Sequence, residues 1–346
     1  MFGIKRYAVE LERALRAQGV DVRPQRILVR EVRLGGRPFG GLVTKTLSAA
    51  LPRRRRDLLH ATSHVCNPRR GPAEVVTVHD LIPMLYPSLG SHGEAGRRLD
   101  ERRLRHALDT ARVLVTDTAA VKDELVLHLG ADPSRIHPVH LGLRHEVFYR
   151  EEGRRHPAFR DGRLNVLVAM NLDLRKRADL VLEAAAGLPF VHVVQVGSTA
   201  VSPALMARFR ALRRSETRLS AEGRLVHLEG IGDGELRRLY SGADLVAHPS
   251  AAEGFSFPPL EALACGAPVV ASDIPVHREV LGDRARYAPL EAEALARLFE
   301  DAWDGSAVRR RRLPDRDAGV AHARTFRWEA TAAKTIAAYE QALAGA

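Results

Sequence analysis

Short apolar runs alternate with stretches of helical period along this chain. In the first half, residues 58–60, 75–79 and 113–116 read as buried strands, with amphipathic or charged segments over 96–110 and 119–129 between them. The second half repeats the scheme. Strands are predicted over 165–170, 190–196, 224–228, 243–248 and 267–272, and helices over 178–186 and 204–214. Nearly continuous apolar strands need cover on both faces, which predicts parallel sheets flanked by helices. Two such runs predict an α/β protein of two doubly wound domains. Residues 151–163 are polar, carry Gly153, Pro157 and Gly162, and read as a linker between domains over 1–150 and 164–329. The start is different. Residues 7–18 have helical period and Gly19 is a plausible stop, so a helix stands where a doubly wound domain should open with a strand. The first strand of the N-terminal domain therefore looks missing.

Composition narrows the class. The 346 residues are 45% hydrophobic and 27% charged, which excludes a collagen-like chain, a disulfide scaffold and a disordered acidic tail. No apolar stretch reaches the roughly 18 residues of a membrane-spanning helix. No basic-then-apolar leader opens the chain, and the reading is cytoplasmic. Cys66 and Cys265 make neither a disulfide framework nor a zinc pattern. The net charge of +11 is uneven: residues 1–150 hold 26 Lys and Arg against 16 Asp and Glu, leaving 27 against 26 for the rest. Such a field attracts anions, whether nucleic acid, lipid headgroups or phosphorylated substrates. The run Arg53 to Arg56 reads as a solvated loop and Arg309 to Arg312 as surface. Aromatics are only 5% and no recognition motif is visible, which argues against nucleic acid.

The most informative segment runs from Asp244 to Asp273. A buried strand ends near His248, and a short loop with Glu253 and Gly254 follows. Pro258 and Pro259 suit a helix start, because the first helical positions need no amide donor. Glu261 then falls in the first turn, and Gly266 closes the helix before the next strand. This strand–loop–helix unit is where open α/β sheets bind phosphates. Glu253 and Glu261 suit paired hydroxyls and would repel a bare diphosphate. A cationic counterpart is needed, and Arg175 with Lys176, just after a predicted strand, is the candidate.

Glu253-Gly-Phe-Ser-Phe-Pro-Pro-Leu-Glu261 resembles the E-x7-E motif of glycosyltransferase family 4, retaining enzymes of the GT-B fold. Arg175-Lys176 resembles the R-K pair that neutralises the donor diphosphate in that family. Leu228-Glu-Gly-Ile-Gly232 resembles its nucleotide-site loop, His277 to Asp283 the stretch after the next strand, and Phe326 to Glu329 its closing helix. In the first half, Gly3-Ile4-Lys-Arg-Tyr7 is similar to the tail of the glycine-rich acceptor loop, and Val78 to Pro83 to the segment carrying the active-site histidine. The resemblance implies two Rossmann-like domains facing a cleft, with a C-terminal helix over about 330–346 completing the acceptor domain.

It also implies roles. Glu261 would hold the ribose and Glu253 the transferred sugar. The backbone of Gly254, Phe255, Ser256 and Phe257, with Gly232, would contact the donor. Arg175 and Lys176 would stabilise the leaving diphosphate, and His79 would face the sugar from the first domain. Many relatives carry glycine where Ser256 stands. Gly3 and Ile4 would lie on the acceptor side, and His60 and His64 either line it or are bystanders. No metal and no cofactor is implied, although Asp315-Arg-Asp317 is formally a D-x-D. The function implied is transfer from a nucleotide-diphosphate sugar, leaning to GDP-mannose, onto a glycan or lipid-linked acceptor of surface polysaccharide, with peripheral contact to an anionic inner membrane face. The alternative is a non-catalytic or N-terminally truncated GT-B protein that binds a nucleotide sugar without turnover. Met1 falls inside the family's acceptor loop, so the expectation is a natural start upstream or a weak or inactive enzyme.

Overall fold

A computed structural model describes residues 3–27, 33–34, 37–38, 44–50, 57–66, 74–89, 94–153, 155–171, 173–198, 210–309 and 312–344. The chain divides into two compact units, residues 1–142 with 326–346, and residues 143–325.

The first unit opens with helix α1 (Gly3–Ala17), followed by β1 (Asp21–Ile27) and a short ribbon of β2 (Arg33–Leu34) and β3 (Arg37–Pro38). Next come β4 (Thr44–Ala50), β5 (Asp57–Ala61), β6 (Val75–Val78), α2 (Ile82–Leu85), α3 (Glu94–Thr110), β7 (Val113–Thr116), α4 (Ala119–Leu129) and β8 (Ile136–Pro138). The sheet order is β1-β4-β5-β6-β7-β8. From β5 onward neighbours are parallel. Strand β4 runs antiparallel to both β1 and β5, so this sheet is mixed where the alternation predicts a parallel one. Pro24 interrupts the donors of β1, which fits that strand's place at the sheet edge. Val76, Val78, Leu104, Leu114, Val121 and Leu125 form the core between sheet and helices. Local chemistry sets the ends of α4. The Thr118 side chain accepts from Val121 N at its start, and Gly130, at φ 64°, ends it in the left-handed region.

The reading of the chain start changes in one respect. Helix α1 begins at Gly3, four residues before the periodic stretch, so Gly3 and Ile4 occupy its first turn rather than a loop. The backbone hydrogen bonds of a first turn do not require the apolar period, so the pattern understates the helix. The Arg53 to Arg56 run lies outside the described residues.

The second unit contains β9 (Leu164–Ala169), α5 (Ala178–Ala186), β10 (Val191–Val196), α6 (Arg210–Ala221), β11 (Leu225–Leu228), α7 (Asp233–Gly242), β12 (Leu245–His248), α8 (Phe257–Ala264), β13 (Val269–Ser272), α9 (Pro275–Leu281), β14 (Ala285–Ala288), α10 (Ala292–Asp301) and α11 (Arg316–Ala323). Its sheet, in order β11-β10-β9-β12-β13-β14, is parallel throughout. The strand order reverses between β9 and β12. Leu164, Val166, Val168, Val191 and Val193 pack against α5 and α10 through Leu180, Val181, Leu295 and Phe299. The helix predicted over 204–214 is described only from Arg210, and it runs on to Ala221; residues 201–209 lie outside the described residues.

The segment 151–163 belongs to this unit. Ala158 and Phe159 are buried, Arg155 donates to Gly242 O at 3.0 Å and Asp244 at 2.6 Å, and Arg160 N donates to Asn165 Oδ1 at 2.7 Å. Polar composition alone gave no sign of those anchors. The last helix, α12 (Trp328–Ala344), belongs to the first unit, where Thr331 Oγ1 donates to His140 O at 2.8 Å. A Cβ on Gly142 would stand 2.6 Å from Trp328 Cα, so only glycine fits there. Among the described residues no helix is long and apolar enough to cross a membrane.

Candidate active site

The loops after β9 and β12 leave neighbouring strands at their carboxyl ends, at the point where the strand order reverses. In open α/β sheets that point holds ligands. The β9 loop ends at Arg177, whose φ of 52° turns the chain into α5. The β12 loop ends at Ser256, at φ 72°, which opens α8. One backbone bond and one side-chain bond join the two loops: Ala251 N donates to Arg175 O at 2.7 Å, and Arg175 Nη1 donates to Ala252 O at 2.7 Å.

These bonds bring three charges together. Lys176 Nζ lies 2.5 Å from Glu253 Oε1, and Arg175 Nη1 lies 2.8 Å from Glu253 Oε2. The Glu253 side chain is 8% exposed, so the cluster is no surface pair. Burial by itself raises the Glu253 carboxyl, but the Lys176 ammonium and the Arg175 guanidinium outweigh it and hold the group well below the usual carboxylate range. His248 Nε2 is 3.2 Å from Glu253 Oε1. Burial pushes that imidazole down to about 3, so it is neutral.

The other predicted donor residues lie nearby in the chain with different surroundings. Phe255 and Phe257 stack edge to face with centroids 5.1 Å apart, and Phe255, Ser256 and Gly254 are buried. Helix α8 starts at Phe257, so Glu261 is its fifth residue, in the second turn rather than the first, and is buried. Gly232 is exposed and caps the start of α7, whose first turn carries Asp233 and Glu235. Asp315 caps α11 by accepting from Asp317 N and Ala318 N, which accounts for the D-x-D. Cys265 is buried, and burial raises its thiol.

In the first unit His79 follows β6 and is buried. Its Nε2 donates to Thr62 O at 2.9 Å, and its Nδ1 lies 2.8 Å from Asp117 Oδ2. Burial lowers the imidazole, but Asp117 outweighs it and the net shift is upward. Both ring nitrogens thus have protein partners. The second Asp117 oxygen has no hydrogen-bond partner among the described residues. His60 is core: its nitrogens meet Tyr339 OH and Thr77 Oγ1, each at 2.8 Å. His64 Nε2 lies 3.2 Å from Asp100.

The sequence pattern gave no sign of the contacts that His248, Asp117, His277 and Ser272 make around the predicted residues. Their partners are 5 to 38 positions away, and no periodicity marks such pairs.

The profile of the family described as Glycosyltransferase Family 4 matches residues 2–147, and that of Glycosyl transferases group 1 matches residues 149–313. The chain belongs to the family 4 glycosyltransferases. It is 26% identical over 300 residues to the O-antigen chain mannosyltransferase B of Escherichia coli, covering 82% of this chain and 74% of that protein. It is 31% identical over 279 residues to the D-inositol 3-phosphate glycosyltransferase of Mycolicibacterium paratuberculosis, covering 78% of this chain and 62% of that protein. Among solved structures, the sucrose-phosphate synthase of Thermosynechococcus elongatus gives a TM-score of 0.60 at 22% identity, over 80% of this chain and 70% of that one. Anabaena HepE in complex with UDP and glucose gives 0.61 at 19% identity, over 77% and 71%. These likenesses make the fold GT-B, with two Rossmann-like units.

Proposed function

We propose that this glycosyltransferase moves a sugar from a nucleotide-diphosphate sugar to a glycan or lipid-linked acceptor, with retention and without a metal ion. The observation that carries the reading is the cluster of Arg175, Lys176 and Glu253 at the carboxyl ends of β9 and β12. Two cations against one carboxylate leave a positive excess for a diphosphate, and preorganised charge of this kind is often the largest catalytic contribution. Glu253 offers oxygens to sugar hydroxyls, and Glu261 to a ribose. In the step proposed, the bond from the anomeric carbon to the diphosphate breaks as the bond to the acceptor oxygen forms. The acceptor proton passes to the departing phosphate oxygen, so no protein nucleophile is needed.

GDP-mannose is the donor proposed, drawing on the resemblance of the His79 segment and on the mannosyltransferase relative. The UDP complexes of HepE support a UDP-sugar as the competing choice. The excess of Lys and Arg in residues 1–150 supports a phosphorylated or membrane-surface acceptor. A GT-B protein that binds the donor without turnover is the second reading, and it draws on His79, whose ring nitrogens both have protein partners.

A thermal-shift titration with UDP, GDP and ADP, on wild type and Glu261→Ala, tests the proposal. A ligand at 100 times its Kd adds about 2.7 kcal/mol to the state that binds it. The expected result is one nucleotide raising Tm, with the rise lost in Glu261→Ala. No rise with any nucleotide in a folded sample refutes the donor site. A rise without sugar release from any nucleotide sugar favours the second reading.

A further inference from the structure

Behind Glu253 lies a buried chain of side chains that the donor reading does not use. His277 Nδ1 is 3.0 Å from Ser272 O. A carbonyl only accepts, so Nδ1 carries the proton. His277 is fully buried, and burial lowers its basicity, so the ring is neutral and Nε2 is a bare acceptor. Ser256 Oγ, 3.1 Å away, therefore donates to it. With its proton used, Ser256 Oγ accepts from His248 Nε2 at 3.1 Å. His248 Nε2 thus bears a hydrogen, which it shares with Glu253 Oε1 at 3.2 Å. Ser272 Oγ donates in turn to Ser250 O in the β12 loop. Every donor is fixed by the one before it, from the Ser272 carbonyl to the Glu253 carboxylate.

We propose that Ser256 and His277 are positioning residues for Glu253: this one-way chain holds the His248 Nε2–H on the carboxylate that would grip the transferred sugar. The inference rests on the donor-site reading. Backbone conformation gives it a second support. Ser256 sits at φ 72°, where glycine is unstrained and a side chain is not. Glycine lacks the hydroxyl that joins two imidazoles needing opposite partners. With the chain intact, Glu253 Oε1 takes Lys176 and His248 while Oε2 takes Arg175, so three donors set its plane.

The test uses Ser256→Gly in the 346-residue chain, which removes the hydroxyl and the strain together and so is expected to fold. Imidazole 15N spectra of the ligand-free protein at pH 7 should show His277 protonated at Nδ1 and His248 at Nε2 in wild type, with the His248 pattern mixed in the variant. A wild-type His277 proton on Nε2 overturns the inference. Dissociation constants are then measured for GDP with GDP-mannose and for UDP with UDP-glucose. For whichever pair binds, the ratio of nucleotide to nucleotide-sugar constants should fall about tenfold in Ser256→Gly. His277→Gln, which keeps an acceptor toward Ser256, should retain more of the ratio than His277→Leu. Wild type that binds neither pair refutes the donor reading and this inference with it. Wild type that binds one pair, with the ratio unchanged in Ser256→Gly, refutes the positioning role alone.

Discussion

Glu253→Gln removes the one charge that Lys176 and Arg175 share while keeping the shape of the side chain. The separations are 2.5 and 2.8 Å, and the three side chains are 8 to 20% exposed. At an effective dielectric constant of about 20, unit charges about 4 Å apart attract by about 4 kcal/mol. Desolvating the carboxylate offsets part of that. Removing one partner of a buried pair costs about 3–5 kcal/mol, and the partial exposure of both cations points to the lower end. For a domain of roughly 150–250 residues, about 3 kcal/mol lowers Tm by roughly 6–12 °C. The pH dependence has a definite sign. The folded Glu253 pKa is depressed, so its contribution is complete above the unfolded value of about 4.3 and is lost as pH falls toward the folded value. The assay is a thermal melt of wild type and variant from pH 7 down to pH 3, repeated with saturating inorganic pyrophosphate. The wild-type advantage should be constant from pH 7 to 5, close below that, and narrow in pyrophosphate, because the freed cations take the anion more tightly. A gap under roughly 2 °C at pH 7, a gap that widens in acid, or one that pyrophosphate enlarges would refute the reasoning.

Two further outcomes are expected from the first unit. Asp117→Asn takes the carboxylate from His79, whose folded pKa is raised, so the destabilisation should be full below about pH 6.5 and fade as pH rises through the folded value; melts at pH 5.5 and 8.5 check this, and an equal loss at both pH values contradicts it. Gly142→Ala puts a methyl 2.6 Å from Trp328 Cα and should cost at least about 1–3 kcal/mol through overpacking, read as a lower urea midpoint with an unchanged slope; an unchanged midpoint contradicts it.

The alternation of apolar runs and helical stretches placed five of the six strands of the second unit to within a few residues, because a parallel strand buried on both faces is nearly continuous in apolar residues. The edge strand β14, Ala-Arg-Tyr-Ala, with Arg286 and Tyr287 only partly buried, carries no such run and was missed. Helices α4 and α5 fall on the predicted 119–129 and 178–186, since a capping threonine, a closing glycine and a polar boundary are local signals. The acidic–basic composition of the loops after β9 and β12 was legible for the same reason: Glu253, Arg175 and Lys176 are written in the chain. Strands β1 and β4 were not, because Asp-Val-Arg-Pro-Gln-Arg-Ile and Thr-Lys-Thr-Leu-Ser-Ala-Ala carry neither period. Their pairing is a choice the sheet makes through backbone hydrogen bonds, to which every residue but proline contributes alike.

By itself, then, the sequence determined the layers, the family and the residue types of the loops after β9 and β12. The tertiary structure decided what those residues do to one another. It closed the 77-residue gap between Lys176 and Glu253, turned both nitrogens of His79 onto Thr62 and Asp117, and ran hydrogen bonds from Ser272 through His277 and Ser256 to His248. Periodicity reports which face of an element is buried. It carries no information about which polar groups meet once the elements pack, because hydrogen bonds and ion pairs depend on distances of about 3 Å that the crossing of strand and loop sets.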